Sequence, residues 1–287
     1  MLSRSQLLAS ILIPLALLAP ASAVAPLGQI FPLGDSITHG ETYSSGGGYR
    51  DKLDTDLKAG GYSFSFVGSM TDIPSAQLTA DGQTHHEGHG GYRIDQIQDN
   101  LDANDGSGGN NGGFWLAGNN GTGRSPLTPS FVLLHIGTND ILQNFNNGAG
   151  GNDTSAMQTR LTSLVNQIIA DRPTANVIVS TLIPINSSAN AKVQNYNTAI
   201  KNTIVPNFIS QGKHVSLVDQ YANFVDGNGN IISAGFTDGV HPSQTYYDKM
   251  GDTWYAGIAA VAVPEPSSLV LLIIAAAGVC FYRWRRC

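Results

Sequence analysis

Residues 32–40 read PLGDSITHG and residues 238–242 read DGVHP. Ser36 supplies a hydroxyl, a weak nucleophile until an adjacent base takes its proton. Asp238 and His241 stand close enough in sequence for the carboxylate to orient the imidazole, as a hydrolase triad requires. Such a set performs acyl transfer: serine attacks an ester carbonyl, histidine accepts and returns the proton, and aspartate fixes the ring. Asn139, within IGTND at 136–140, offers an amide donor of the kind that stabilises a tetrahedral oxyanion. Taken singly, each residue also has a plainer reading. Ser and Asp make turns and cap helices, and Asn sits readily in turns. Joint placement on one scaffold is what separates the two readings.

That scaffold is legible as alternating strands and helices. Strands are expected at Gln29–Leu33, Ser63–Gly68, Phe131–Ile136, Asn176–Thr181 and His214–Asp219. FVLLHI and NVIVST are near-continuous apolar runs, which suits parallel strands covered on both faces. Helices are expected at Tyr49–Ala59, Ile94–Ala103, Thr154–Asp171 and Ala189–Ile209, with a further one starting near Ser243. In the third, Leu161, Leu164, Val165, Ile168 and Ile169 recur at helical spacing and stop before Pro173. The alternation predicts an α/β fold, a single flavodoxin-like, doubly wound parallel sheet. Ligands in such folds meet the carboxyl ends of the strands. Ser36, Asn139 and the Asp238–His241 loop each follow a predicted strand, so all fall on that one rim. Two Gly/Asn-rich stretches, Asn104–Arg124 and Asn144–Asn152, read as surface loops.

The chain ends carry different signals. Residues 1–23 read as a secretory signal peptide, with Arg4, an apolar run from Leu7 to Leu18, and Ala21-Ser22-Ala23 as a cleavage site. Residues 263–287 contain VPEP, an apolar run from Leu269 to Tyr282, and Arg283, Arg285 and Arg286. That run is marginal for a membrane span, which needs about 17–25 residues. Arginines after it would hold the C-terminus inside and leave the main domain outside. Residues 24–262 are thus expected to form one exported catalytic domain, monomeric, extracellular or at the cell surface. Both cysteines, Cys280 and Cys287, lie in the tail, so this domain has no disulfide and rests on an ordinary core. Of 15 Lys and Arg residues four lie in the terminal segments, and of 21 acidic residues only Glu265 does, leaving the domain near −9. Such a balance argues against nucleic acid or anionic surfaces as partners and fits a neutral, sugar-like substrate.

GDSIT, a glycine within EGHGGYRIDQI, IGTND and DGVHP resemble, in order, the four blocks of SGNH (GDSL-type) hydrolases. The wording is similar in more detail to carbohydrate esterase family 3, the acetyl xylan esterases, whose pattern runs GDSIT, D-x-x-HEGHSGW-x-ID-x-I, LLHIGTND and DG-x-HP. The resemblance spans about Ile30 to Trp254. It implies Ser36 as nucleophile, His241 as general base oriented by Asp238, and an oxyanion hole of the Ser36 and Gly91 backbone N–H groups with the Asn139 amide. No cofactor and no metal are implied. The family's HSGW reads HGGY here, with Gly90 and Tyr92, which opens a choice between Gly90 and Gly91 for the hole; the position before the aromatic residue selects Gly91. The tail resembles a PEP-CTERM sorting signal, which implies an exosortase-type processing enzyme as partner, with a plain membrane anchor as the alternative. The implied substrate is an acetylated polysaccharide such as xylan. Alternatives are an SGNH esterase or lipase of other specificity, a deacetylase of the cell's own exopolysaccharide, and a non-catalytic surface protein.

HHEGH at 85–89 invites a zinc reading, but His86 and His89 lack the helical zinc spacing and the flanking glycines disfavour a helix. DGNGN at 226–230 resembles the start of a calcium loop, yet Ile231 occupies its glycine position. Arg93 reads as a solvated residue at a helix start, with substrate contact as the alternative.

Overall fold

In a computed structural model, residues 25–41, 45–102, 115–116, 125–145 and 153–262 are described. The signal-peptide and tail expectations therefore lie outside the described residues, as do most of the two Gly/Asn-rich stretches. Among the described residues, no helix is long and apolar enough to cross a membrane.

The sheet is built from β1 (Ala25–Gly34), β2 (Tyr62–Phe66), β3 (Glu87–Gly88), β4 (Phe131–His135), β5 (Asn176–Ser180) and β6 (Val215–Val218). All pairings are parallel, in the order β2-β1-β4-β5-β6, with the short β3 added to β1 at Leu33 and Gly34. Setting β3 aside, this is the flavodoxin-like order expected from the sequence. Side chains alternate across each strand, so the apolar runs feed two cores. Phe31, Leu33, Val132, Leu134, Val177 and Val179 face one core, shared with helices α4 (Ile94–Asp102), α6 (Ser155–Asp171) and α7 (Asn190–Ala199). Ile30, Phe131, Leu133 and Ile178 face the other, against α2 (Tyr49–Ala59) and α9 (Gln244–Ala262). Each fully buried large apolar side chain contributes roughly 1.5–3 kcal/mol. Gly251 lets α9 approach the α2 backbone: a Cβ there would lie 2.9 Å from the Tyr49 carbonyl oxygen.

Two departures from expectation have clear causes. The helix expected over Ala189–Ile209 is interrupted by a π turn at Ile200–Ile204, where the Val205 N–H donates to the Ile200 carbonyl. Pro206 follows at once. A proline in a straight α-helix clashes with the carbonyl four residues back, and widening that turn relieves the clash. The second concerns the stretch Asn104–Arg124, read as a surface loop. Trp115 and Leu116 within it are buried in the first core. Their N–H groups donate to the Asn100 and Leu101 carbonyls, and the Arg172 guanidinium donates to the Leu116 carbonyl. An apolar pair inside a Gly/Asn-rich run is an anchor, and composition alone concealed it.

Candidate active site

Ser36 opens a one-turn helix, α1 (Ser36–His39), directly at the carboxyl end of β1. Asp35 caps that turn by accepting the Ile37 N–H at 3.0 Å. Gly40, with φ +83°, ends it in the left-handed conformation. The serine is thereby held on a sharp strand-to-helix junction, only 7 % exposed. Its Oγ lies 2.9 Å from His241 Nε2, the distance at which the hydroxyl can donate to the ring. His241 Nδ1 lies 2.7 Å from Asp238 Oδ2. The other carboxylate oxygen of Asp238 accepts the backbone N–H groups of Val240 at 2.9 Å and His241 at 2.8 Å. Partial burial would push this carboxyl up, but the His241 backbone and side-chain hydrogen bonds and the Val240 N–H hold it below the usual range. A carboxylate kept ionised and clamped through one oxygen can orient the imidazole through the other. The loop is fixed in turn. Gly239 takes φ +86° and its carbonyl accepts the Asn186 N–H at 2.8 Å, and the Thr237 N–H donates to the His241 carbonyl.

Gly91 and Asn139 come together on the adjoining loops. Asn139 Nδ2 donates to the Tyr92 carbonyl at 3.0 Å, and Gln143 Nε2 donates to the Gly91 carbonyl at 2.8 Å. An asparagine amide carries two donors, so one hydrogen can fix the loop while the other serves a ligand. Asn139 sits on α5 (Thr138–Leu142), whose start depends on Gly137 at φ +126°; a Cβ there would press on the Tyr196 ring at 3.0 Å. Asp140 then ties this turn to its neighbours. It accepts the Ile94 N–H at 3.0 Å and the Arg160 guanidinium at 3.0 and 2.7 Å, which offset the upward push of burial on its pKa.

The two candidate hole glycines differ. Gly91 has φ +78°, a conformation that favours glycine, and open space where a Cβ would stand. Gly90 instead backs onto the Glu41 carboxylate. The loop before them is held by aromatic packing and a buried ion pair. His89 is stacked between Tyr92, with centroids 4.7 Å apart, and Trp115 at 5.1 Å, while its Nε2 meets Glu87 Oε1 at 2.6 Å. Glu87 also accepts the Ser69 N–H and hydroxyl. Sequence reasoning left His89 and Glu87 without partners, because the loops they join are far apart in the chain. Arg93 is held by the Asp95 carboxylate, Gln143 and the Phe145 ring.

Among the described residues, one group has the composition of a metal site: His39, Asp72 and His86. The backbone argues against that use. His86 Nδ1 accepts the Gly88 N–H at 3.1 Å, so the neutral ring carries its proton on Nε2, the nitrogen that faces Asp72. Burial and the Arg50 charge hold this ring neutral. His39 already meets a carboxylate at each nitrogen, Glu41 and Asp72, both at 2.9 Å.

The profile of the GDSL-like Lipase/Acylhydrolase family matches residues 33–249. The chain belongs to this family. Among solved structures, a Clostridium thermocellum family 3 carbohydrate esterase is 28 % identical, with a TM-score of 0.59 over 83 % of this chain and 100 % of that one. A family 3 carbohydrate esterase from Talaromyces cellulolyticus, 22 % identical, shares the fold, with a TM-score of 0.57 over 82 % of this chain and 97 % of that one. A Ruminococcus flavefaciens multidomain esterase is 29 % identical over 227 residues, which are 72 % of this chain and 26 % of that protein. The chain thus spans about a quarter of this relative. This GDSL-like acylhydrolase is structurally similar to carbohydrate esterase family 3 across its whole sheet.

Proposed function

We propose that the protein is an exported serine esterase that removes O-acetyl groups from a polysaccharide such as acetylated xylan. The observation that carries this reading is the hydrogen-bonded chain from Ser36 Oγ through His241 to Asp238. In the proposed cycle Ser36 Oγ attacks the ester carbonyl as His241 Nε2 takes its proton. The oxygen that gains negative charge is met by the Ser36 and Gly91 backbone N–H groups and the Asn139 amide. His241 then gives its proton to the departing sugar hydroxyl, leaving an acetyl-serine. Water repeats the sequence and releases acetate. Asp238 stays ionised throughout and stabilises the imidazolium.

The acetyl-polysaccharide assignment is supported by the likeness to carbohydrate esterases and by the family 3 wording of the motifs. Export is supported by the two terminal sequences, the second of which also keeps the cell's own exopolysaccharide open as the substrate. Acetate release by the purified protein, measured on acetylated xylan, acetylated exopolysaccharide and long-chain esters, tests the reading. Fastest kcat/KM on acetylated xylan is expected. Preference for sixteen-carbon esters would move the protein to a lipase, and preference for the exopolysaccharide would move it to self-polymer trimming. Mass spectrometry of the exported protein tests the tail: loss of the residues after 263 is expected, and an intact Cys287 terminus would indicate a plain anchor.

A further inference from the structure

Gly90 departs from the family 3 pattern, which has a serine there, and the structure supplies the reason. A Cβ built on Gly90 would lie 1.9 Å from Glu41 Oε1 and 2.9 Å from its carboxyl carbon. The backbone at 90 is not left-handed, so conformation does not demand glycine. What excludes a side chain is the carboxylate. Glu41 reaches this place because Gly40 turns the chain back at the end of α1, and because the Glu41 N–H donates to the carbonyl of Ser36 itself. Behind it, His39 Nδ1 meets Glu41 Oε1 at 2.9 Å while the far nitrogen meets Asp72. The Glu41 side chain remains 36 % exposed, and Gly90 and Gly91 beside it are exposed. The nearest arginine, Arg50, is fully buried and donates to the His39 and Thr84 carbonyls. The charge presented over Gly90 is thus the carboxylate.

We infer that Glu41 is a charge-selecting residue of the substrate site, placing a carboxylate at the rim where the family pattern has a serine hydroxyl. It accepts hydrogen bonds from substrate hydroxyls or an ammonium group and disfavours substrates that carry a carboxylate next to the scissile ester. The inference rests on the esterase reading above but not on the sugar assignment.

The test therefore uses esters without sugar: ethyl acetate, acetoxyacetate and acetylcholine, each rate normalised to that ester's alkaline hydrolysis. Two like charges about 5 Å apart at a protein surface alter an equilibrium by roughly tenfold or more. Wild-type kcat/KM on acetoxyacetate is expected to fall roughly tenfold below that on ethyl acetate, by that coulombic measure. The gap should narrow as salt is raised, since screening shortens the reach of the charge. Glu41→Gln removes the charge, and Gly90→Ser pushes the carboxylate aside without removing it. Both should shrink the acetoxyacetate penalty several-fold and lower the relative rate on acetylcholine. A penalty that is absent in the wild type, insensitive to salt, or equal in wild type and Gly90→Ser overturns the proposal, even where Glu41→Gln fails to fold. Hydrolysis of ethyl acetate without release of acetate from xylan would reject the polysaccharide reading alone. Inactivity on all three esters would overturn both.

Discussion

At the scale of residues, the site divides between groups defined by their own chemistry and groups defined by what approaches them. Ser36, Asp238 and His241 are of the first kind. Ser36→Ala should abolish nearly all ester hydrolysis, with a residual rate over water from binding and the oxyanion donors. Its far-UV circular dichroism and melting temperature should stay close to wild type, and wild-type turnover would refute the nucleophile. Asn139 is predicted to act mainly on the transition state, because its bond to the oxyanion strengthens as charge develops. Asn139→Ala should lower kcat by ~10²–10³ with KM little changed, the loss typical of one oxyanion donor. A residue serving only to hold the Tyr92 carbonyl would give a lower melting temperature and near-normal kcat instead. These positions were legible in the sequence because a nucleophile, a base and a donor must each be a particular residue type at a strand end. Glu41 behind Gly90, His89 between two rings and Asp140 beneath α5 were not. Their roles depend on loops separated by up to tens of residues meeting in space, and no local spacing encodes that.

At the scale of elements, local periodicity predicted what helices and strands bury but not where they are interrupted or anchored. The α6 stripe of Leu161, Leu164, Val165 and Ile168 is buried as its spacing requires. The five strands appear close to their expected positions, since apolar runs covered on both faces have few alternatives. The short β3 was not foreseen: two residues, Glu87 and Gly88, carry no strand pattern, yet their pairing with Leu33 and Gly34 brings the oxyanion loop beside the nucleophile. Trp115 was concealed likewise by its Gly/Asn-rich surroundings. Its ring is buried, stacks on His89 and meets Phe31 edge-on at 6.4 Å. Trp115→Ala should cost about 3–5 kcal/mol of stability by leaving a cavity in the core. It should also lower kcat, because His89 loses one of the two rings that hold the segment leading to Gly91. Thermal unfolding and steady-state kinetics on one preparation would check both. Lost stability with unchanged kcat would show that the Tyr92 stack alone positions the loop.

At the scale of the whole molecule, the fold accommodates ionisable groups in its interior with opposite consequences for pH. Asp35 is fully buried, and burial pushes its pKa up to about 7 against the Ile37 hydrogen bond. A raised acid stabilises the fold most at low pH, and that contribution is lost as pH rises from the ordinary value toward 7. His135, at the end of β4, is fully buried, and burial pushes it down to about 4. Neither of its ring nitrogens has a hydrogen-bond partner. A depressed histidine works in the other direction. The unfolded chain takes up a proton near the ordinary histidine value while the folded ring refuses it, so stability is complete above that value and declines as pH falls toward 4. His86, also held neutral by burial, adds to the same decline. Acid should therefore weaken the protein through its histidines even as it relieves Asp35. His135→Leu offers a direct test, since it keeps a similar volume and removes two buried polar atoms that bond nothing. The variant should be at least as stable as wild type at pH 8, and its melting temperature should fall less between pH 7 and pH 4.5. Equal acid losses in the two proteins would show that His135 is protonated without cost, which a fully buried and unpartnered ring does not permit.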